Sequence, residues 1–221
     1  MVTIQNITKS YLIEGQRIKA VDNVSLTVGK GEFLSIIGHS GSGKTTLLSL
    51  IGGLTRPDSG MITVGERDIW TMEDNALSEF RNKKISFIYQ FSSLIPTLTV
   101  LENILLPTAF GTRRDDVTGS ALGLLEIVGL KEKKNAYPSQ LSGGQQRRVA
   151  IARSFITSPE LVLADEPTGD LDEETEAEMM SFFTMMNEKK DVTFILSTHN
   201  TDIAKQMKRQ MKMSNGTMKE L

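Results

Sequence analysis

The chain of 221 residues contains no cysteine. That excludes disulfides and thiolate metal sites, and it is compatible with a reducing cytosol. Charge of one sign is also missing: 25 basic against 27 acidic residues leave a formal net charge of −2. Broad, non-specific attraction to a polyanion such as nucleic acid is therefore not expected. No apolar run approaches the roughly 20 residues needed to cross a bilayer. The N-terminal Met1-Val2-Thr3-Ile4-Gln5-Asn6 lacks a charged segment followed by an apolar core, so no signal peptide is expected. Internal repeats and low-complexity tracts are absent too. Apolar residues at 39% and charged residues at 24% leave room for a sizeable core, and the length suits one α/β domain with a subdomain.

Gly38-His39-Ser40-Gly41-Ser42-Gly43-Lys44-Thr45 fits the phosphate-loop pattern G-x-x-x-x-G-K-[ST]. Before it, Phe33-Leu34-Ser35-Ile36-Ile37 reads as a buried strand. After it, Thr46 to Leu54 carries apolar residues at 47, 51 and 54, which is helical spacing. A polyphosphate needs backbone N–H groups aimed at its oxygens, and glycines let the chain curl close around them. The helix N-terminus adds unpaired donors and a partial positive charge. Lys44 brings a cation to the outer phosphates, and the Thr45 hydroxyl suits Mg²⁺, a hard ion.

Upstream, Val2-Thr3-Ile4 and Val24 to Val28 alternate, and residues 1–30 read as short strands with turns at Glu14-Gly15 and Gly29-Lys30-Gly31. Tyr11 either stacks on a nucleotide base or lies on a strand face. Downstream, Arg56-Pro57-Asp58-Ser59-Gly60 is a turn, and Met61 to Trp70 is strand-like. Asp74 to Lys84 looks helical, and Ile85 to Tyr89 reads as a strand ending at Gln90. The Gln90 carbonyl either reaches a bound metal or water, or is simply at the surface. Residues 91–140 read as a helical insert, with helices over Val100 to Leu106 and Ser120 to Val128 and a polar loop from Gly111 to Asp116. Arg113-Arg114 and Lys131 to Lys134 read as solvated faces.

Leu141-Ser142-Gly143-Gly144-Gln145 precedes a helix expected from Gln146 to about Ile156, with Arg147, Arg148 and Arg153 as its polar side. Ser142 is a plausible N-cap, and the two glycines present either an anion site or only a flexible helix start. Leu161-Val162-Leu163-Ala164 is a buried strand ending in Asp165-Glu166. Two carboxylates there are costly without a partner. A Mg²⁺ ion held by Asp165 and a water polarised by Glu166 would supply one. Thr168 to Asp172 is a tight turn before a helix from Glu173 to Asn187, in which Met179, Phe182, Phe183 and Met186 make the buried stripe. Val192 to Ser197 is a further apolar strand ending at Thr198-His199, where the histidine either reaches a terminal phosphate or orients the attack, or is only structural. The tail from Lys205 reads as a surface helix and strand.

With these motifs together, the chain resembles the ATPase subunits of ABC transporters over its whole length. The phosphate loop, Gln90, Leu141 to Gln145, Asp165-Glu166, Asp170-Leu171-Asp172 and His199 occur in that family's order and spacing. Ala20 to Leu26, Ile51 to Leu54, Leu94 to Asn103 and Leu105-Leu106-Pro107 are most similar to ATPases that energise lipoprotein release and macrolide export. Ser92, Ser93 and Asp170 depart from the common pattern, the two serines in the region where such proteins dock their permease.

The resemblance implies an α/β phosphate-loop NTPase fold: a mainly parallel sheet core, an N-terminal antiparallel β subdomain and a helical insert. Residues 1–90 and 157–221 would form the nucleotide-binding core, and 91–156 the helical signature subdomain. It implies ATP and Mg²⁺ as cofactors. Glu166, His199 and Lys44 would be catalytic. Tyr11, Gly38, His39, Ser40, Gly41, Ser42, Gly43, Lys44, Thr45, Thr46, Gln90, Ser142, Gly143, Gly144 and Gln145 would contact nucleotide. Thr45, Gln90 and Asp165 would hold the metal. A head-to-tail homodimer and a separate membrane permease are the implied partners, with no nucleic acid, at the cytoplasmic face of the membrane. The alternative is a soluble ABC ATPase acting on a non-membrane partner. DNA-directed relatives would interrupt the domain with long coiled coil, and no sustained heptads separate Lys44 from Ser142 here.

Overall fold

The computed structural model describes residues 1–111, 116–169 and 171–221. Most of the expected polar loop at 111–116, including Arg113-Arg114, and Asp170 of the 168–172 turn lie outside the described residues.

In chain order the elements are β1 (Val2–Ile13), β2 (Gln16–Val28), β3 (Phe33–Ile37), α1 (Lys44–Ile51), β4 (Ser59–Val64), β5 (Arg67–Asp68), α2 (Asp74–Lys84), β6 (Ile85–Ile88), α3 (Val100–Leu105), α4 (Val117–Ile127), α5 (Gly143–Phe155), β7 (Leu161–Asp165), α6 (Glu173–Lys190), β8 (Thr193–Thr198), α7 (Thr201–Ala204), β9 (Arg209–Ser214) and β10 (Thr217–Glu220). Short 3-10 turns lie between several of them. The strands form two sheets: an antiparallel one in the order β2-β1-β4-β5, and a six-stranded one in the order β10-β9-β3-β8-β7-β6. All pairs of the second sheet are parallel except β9 with β10.

The central strands β3, β7 and β8 are buried on both faces, and the period of two along each strand sorts residues between two cores. Leu161, Leu163 and Ile195 turn toward α1 and the antiparallel sheet. Val162, Ala164, Phe194 and Leu196 turn toward the helices α3 to α6. On that second face Phe155, Phe182, Phe183 and Phe194 pack as an aromatic cluster, with Phe155 and Phe182 edge to face at 4.9 Å.

Helix boundaries follow local chemistry. Helix α2 spans the expected residues, with Asp74 in its first turn and Arg81, Lys83 and Lys84 in its last, both favourable to the dipole. Helix α3 starts at a complete capping box: the Glu102 N–H donates to Thr99 Oγ1, and the Thr99 N–H donates to Glu102 Oε2. Asp172 caps α6 by accepting from the Thr175 N–H at 3.0 Å, and Asp191 ends that helix in the left-handed region at φ 56°.

Three expectations change. Residues 1–30 form one long hairpin rather than short strands. Bulges near Ile4, Ile7 and Lys9 shift its register, so the alternation that marks a strand breaks midway. Helix α5 begins at Gly143, not Gln146, because Ser142 and Gln145 cap each other. The C-terminal tail is at the surface only in part: β10 is an exposed edge strand, but β9 lies inside the sheet beside β3, with Met211 and Met213 buried.

Candidate functional site

A cavity of about 580 Å³ opens at the carboxyl ends of β3, β6, β7 and β8, where open α/β sheets place their ligands. It is lined by Ala20, His39, Ser40, Gly41, Ser42, Gly43, Lys44, Thr45, Thr46, Gln90, Asp165, Glu166 and His199. Most of the expected site residues therefore converge on one place from four strand ends.

The phosphate loop turns from β3 into α1 through Gly41 at φ 75° and Gly43 at φ 107°, a region glycine enters without steric cost. A Cβ on Gly43 would fall 2.0 Å from the Ala20 carbonyl, and one on Gly38 would fall 2.5 Å from both Met213 O and Ser42 Oγ. The loop is thus clasped by β2 on one side and by the end of β9 on the other. The Gly216 N–H donates to Ser42 O at 3.1 Å, and the Asp22 N–H donates to Gly216 O at 2.8 Å, so the β9–β10 turn ties loop to hairpin.

Lys44 is buried, and its ammonium donates to Gly38 O at 2.7 Å and His39 O at 3.2 Å. It lies 3.6 Å from Glu166 Oε1. The Thr45 hydroxyl donates to Asp165 Oδ2 at 2.6 Å. The other Asp165 oxygen accepts from the Ser197 hydroxyl. Glu166 Oε2 meets His199 Nδ1 at 2.8 Å and accepts from the His199 N–H at 3.2 Å. Each carboxylate is held on both oxygens, so neither is free to swing. Glu166 also sits at φ 47°, a left-handed backbone that costs a non-glycine residue about 1–2 kcal/mol and is sustained by its surroundings.

Two observations bear on what the cavity fits. Ser42 Oγ is buried without a hydrogen-bond partner, and Ser42 belongs to the loop that lines the cavity. An anionic oxygen would satisfy it. The oxygens of Thr45, Asp165 and Gln90 border the same space as the phosphate loop, a hard-donor set with few carboxylates. Such a set suits Mg²⁺ shared with phosphate oxygens rather than an all-protein cage. Among the described residues no cluster of three or more His, Cys, Asp or Glu could hold a metal by itself.

Gly38 opens the phosphate loop but is not among the residues that line the cavity, and two expected groups stand outside it altogether. Tyr11 pairs with Ile18 far along the hairpin, 39% exposed, with the Lys9 ammonium 5.7 Å from its ring centre. Ser142, Gly143, Gly144 and Gln145 form the first turn of α5 and its cap; Ser142 and Gly143 are exposed.

Sequence reasoning missed several contributors. Ala20 lines the cavity but is a featureless strand residue. Ser197 was read only as strand, and its polarity at the carboxyl end of an apolar run was the available signal. Arg147, assigned to the polar side of its helix, is 2% exposed and donates to backbone carbonyls of the site. Nothing in its spacing marks it among three arginines.

A family model described as ABC transporter matches residues 21–169, from the strand that clasps the phosphate loop to just past Glu166. The chain belongs to the ABC transporter family. It is 40% identical over 217 residues to a lipoprotein-releasing system ATP-binding protein LolD of Geobacter metallireducens, covering 98% of this chain and 96% of that protein. It is 41% identical over 218 residues to a macrolide export ATP-binding/permease protein MacB of Chlorobaculum tepidum, covering 99% of this chain and 33% of that longer protein. The fold matches a dimeric post-hydrolysis state of the ATP-binding cassette MJ0796 bound to ADP and Pi, with a TM-score of 0.93 and 38% identity, over 100% of this chain and 99% of that one. The chain is an ABC transporter ATPase with the α/β cassette fold expected from its motifs. No described helix is long and apolar enough to cross a membrane.

Proposed function

We propose that this ABC ATPase closes head-to-tail with a second copy around two Mg-ATP and drives a separate membrane permease of the lipoprotein-release or macrolide-export type. The observation that carries the reading is the position of the signature turn. Ser142, Gly143 and Gly144 stand outside their own chain's cavity, the first two exposed and Gly144 half-buried, at a helix start whose first N–H groups lack intrahelical acceptors. A γ-phosphate held in a partner's loop would give them an anion.

In this reading the loop from Gly38 to Thr46 and the Lys44 ammonium hold the triphosphate, and Tyr11 of the adjoining hairpin meets the base. Thr45, Asp165 and Gln90 would hold Mg²⁺, whose charge offsets that of the phosphates when bound. Glu166, locked by His199 and aimed into the cavity, accepts a proton from the attacking water as its oxygen approaches the γ-phosphorus. His199 fixes the carboxylate and faces the departing phosphate. Loss of that bridging anion loosens the two copies, a shift in population set by differential affinity.

The permease contact is supported by exposed apolar side chains beside Gln90. Tyr89, Phe91, Ile95 and Phe110 present their rings and chains to solvent. A groove of about 330 Å³ between Phe87, Leu106, Pro107 and Phe110 adjoins them. Residues 91–156 would then act as the subdomain that carries both the docking face and the signature turn, at the cytoplasmic side of the membrane.

Glu166→Gln tests the reading. Turnover should be lost with ATP still bound, and Mg-ATP should then convert monomer to dimer by light scattering. Lys44→Ala should lose nucleotide affinity itself. A Glu166→Gln protein that binds Mg-ATP yet stays monomeric would remove the head-to-tail site, and unchanged hydrolysis would remove Glu166 as base.

A further inference from the structure

Helix α5 does more than present its first turn. Its second turn sends Arg147 inward, the bulkiest side chain among those fully buried. Its guanidinium divides between two strand ends. Nε donates to Pro167 O at 2.7 Å, Nη2 donates to Glu166 O, and Nη1 donates to Tyr89 O.

These three acceptors have a common origin. Strands β6 and β7 pair in parallel up to Ile88 and Ala164. Beyond that point the ladder stops: Glu166 O accepts a long hydrogen bond from the Gly169 N–H at 3.4 Å, and the carbonyls of Tyr89 and Pro167 take their donors from outside the sheet. Arginine supplies a planar fork of N–H groups that stays charged at any working pH. One side chain thereby fastens the residue before Gln90 and the peptide that follows Glu166. Glu166 itself holds a left-handed backbone at φ 47°, which persists only where neighbours enforce it.

We propose that Arg147 is a positioning residue for hydrolysis: by clamping the Tyr89, Glu166 and Pro167 carbonyls it sets the aim of the Glu166 carboxylate and links it rigidly to the signature helix. The proposal rests on Glu166 being the base. The link runs within one subunit. A movement of α5, which carries Ser142 at its start, reaches Glu166 through Arg147 without passing through the nucleotide. Lysine cannot replace the fork, because its three N–H donors diverge from one nitrogen and lack the planar spread that reaches three separate carbonyls.

The test is a kinetic split. Arg147→Lys and Arg147→Gln are compared with the parent for kcat, KM and melting temperature, and for Mg-ATP affinity in a stopped-turnover assay. Displacing a catalytic group by a fraction of an ångström costs on the order of 10-fold in rate. The expected result is a kcat at least about 10-fold lower in both variants, with ATP affinity within about 3-fold of the parent. In the Glu166→Gln background the same substitutions should change residual hydrolysis by less than about 2-fold, since no base remains to be misaimed. An unchanged kcat, or a fall in kcat matched by equal losses of affinity and melting temperature, would overturn the clamp. So would a full 10-fold effect in the Glu166→Gln background. A Glu166→Gln protein that still turns over would instead overturn the assignment of the base, so the two failures are separable.

Discussion

Replacing Gly216 by alanine perturbs the nucleotide site from the far end of the chain. Gly216 sits at φ 76° in the β9–β10 turn, and an added Cβ would stand 2.8 Å from Lys19 O and 3.3 Å from the Ala20 carbonyl. The left-handed backbone costs an alanine about 1–2 kcal/mol. Relieving a contact with backbone, which cannot rotate away, costs about 1–3 kcal/mol more. Loss of glycine's freedom in the unfolded chain returns about 0.4–1 kcal/mol. The net is a destabilisation of about 1–5 kcal/mol, centred on about 3, which at the centre is about 6–12 °C in melting temperature for a domain of this size. The effect should not stay local. Relief moves β2 away, with Ala20 on the cavity wall, and strains the Gly216-to-Ser42 hydrogen bond that steadies the phosphate loop. Urea unfolding with and without ATP, together with a KM measurement, reads both parts: lower stability and a higher KM with kcat little changed. A variant that melts within about 1 °C of the parent and keeps its KM would refute the claim that this turn clasps the loop.

Phe183→Ala empties a fully buried site between Phe155, Phe182 and Phe194; chemical denaturation should show a loss of about 3–5 kcal/mol. Asn103→Ala removes a buried amide that accepts from the Ile95 N–H and donates to the carbonyls of Ile95, Leu98 and Thr99. Stability should fall by about 1–3 kcal/mol, and hydrogen exchange should speed up in residues 94–99 before the rest of the chain. Hydrogen bonds from the Thr99 N–H and hydroxyl hold the Glu102 carboxyl below its ordinary range, and those from Thr175 do the same for Asp172. Their folded pKa values being lowered, their stabilisation is present above the ordinary carboxylate range and lost as pH falls through the depressed values. Melting temperature should therefore drop on acidification below about pH 4, and Glu102→Gln, which keeps the capping geometry, should flatten part of that slope.

What could be read from the sequence follows the range of the interactions involved. The phosphate loop, the Asp165-Glu166 strand end, Gln90 and His199 are local patterns, and the fold gathers them because each ends or follows a strand of one sheet. Helix α2 was legible to the residue because its charges and its end are set within its own turns. Arg147 was not legible. Its acceptors are 58, 19 and 20 residues away, and only the packed fold tells it from Arg148 and Arg153. The tail strand was expected, but the place of β9 inside the sheet was not legible: methionines alternating with Lys212 and Ser214 give a weak core pattern, and the partner strand β3 that recruits them lies far upstream. The length of the first hairpin was hidden by bulges at Asn6 and Asn23, whose positive φ breaks the alternation.

Ser142 and Gln145 already cap one another, the serine oxygen accepting from the Gln145 N–H at 3.2 Å and the glutamine carbonyl accepting from the Ser142 N–H at 3.1 Å. The helix start is therefore assembled before any visitor comes. Its remaining donors at Gly143 and Gly144 wait in place, and no ordering entropy is left to spend on arrival. If the proposed head-to-tail pairing holds, encounter between two loaded molecules should proceed at a rate governed by collision and orientation, without the lag that a disordered tip would impose.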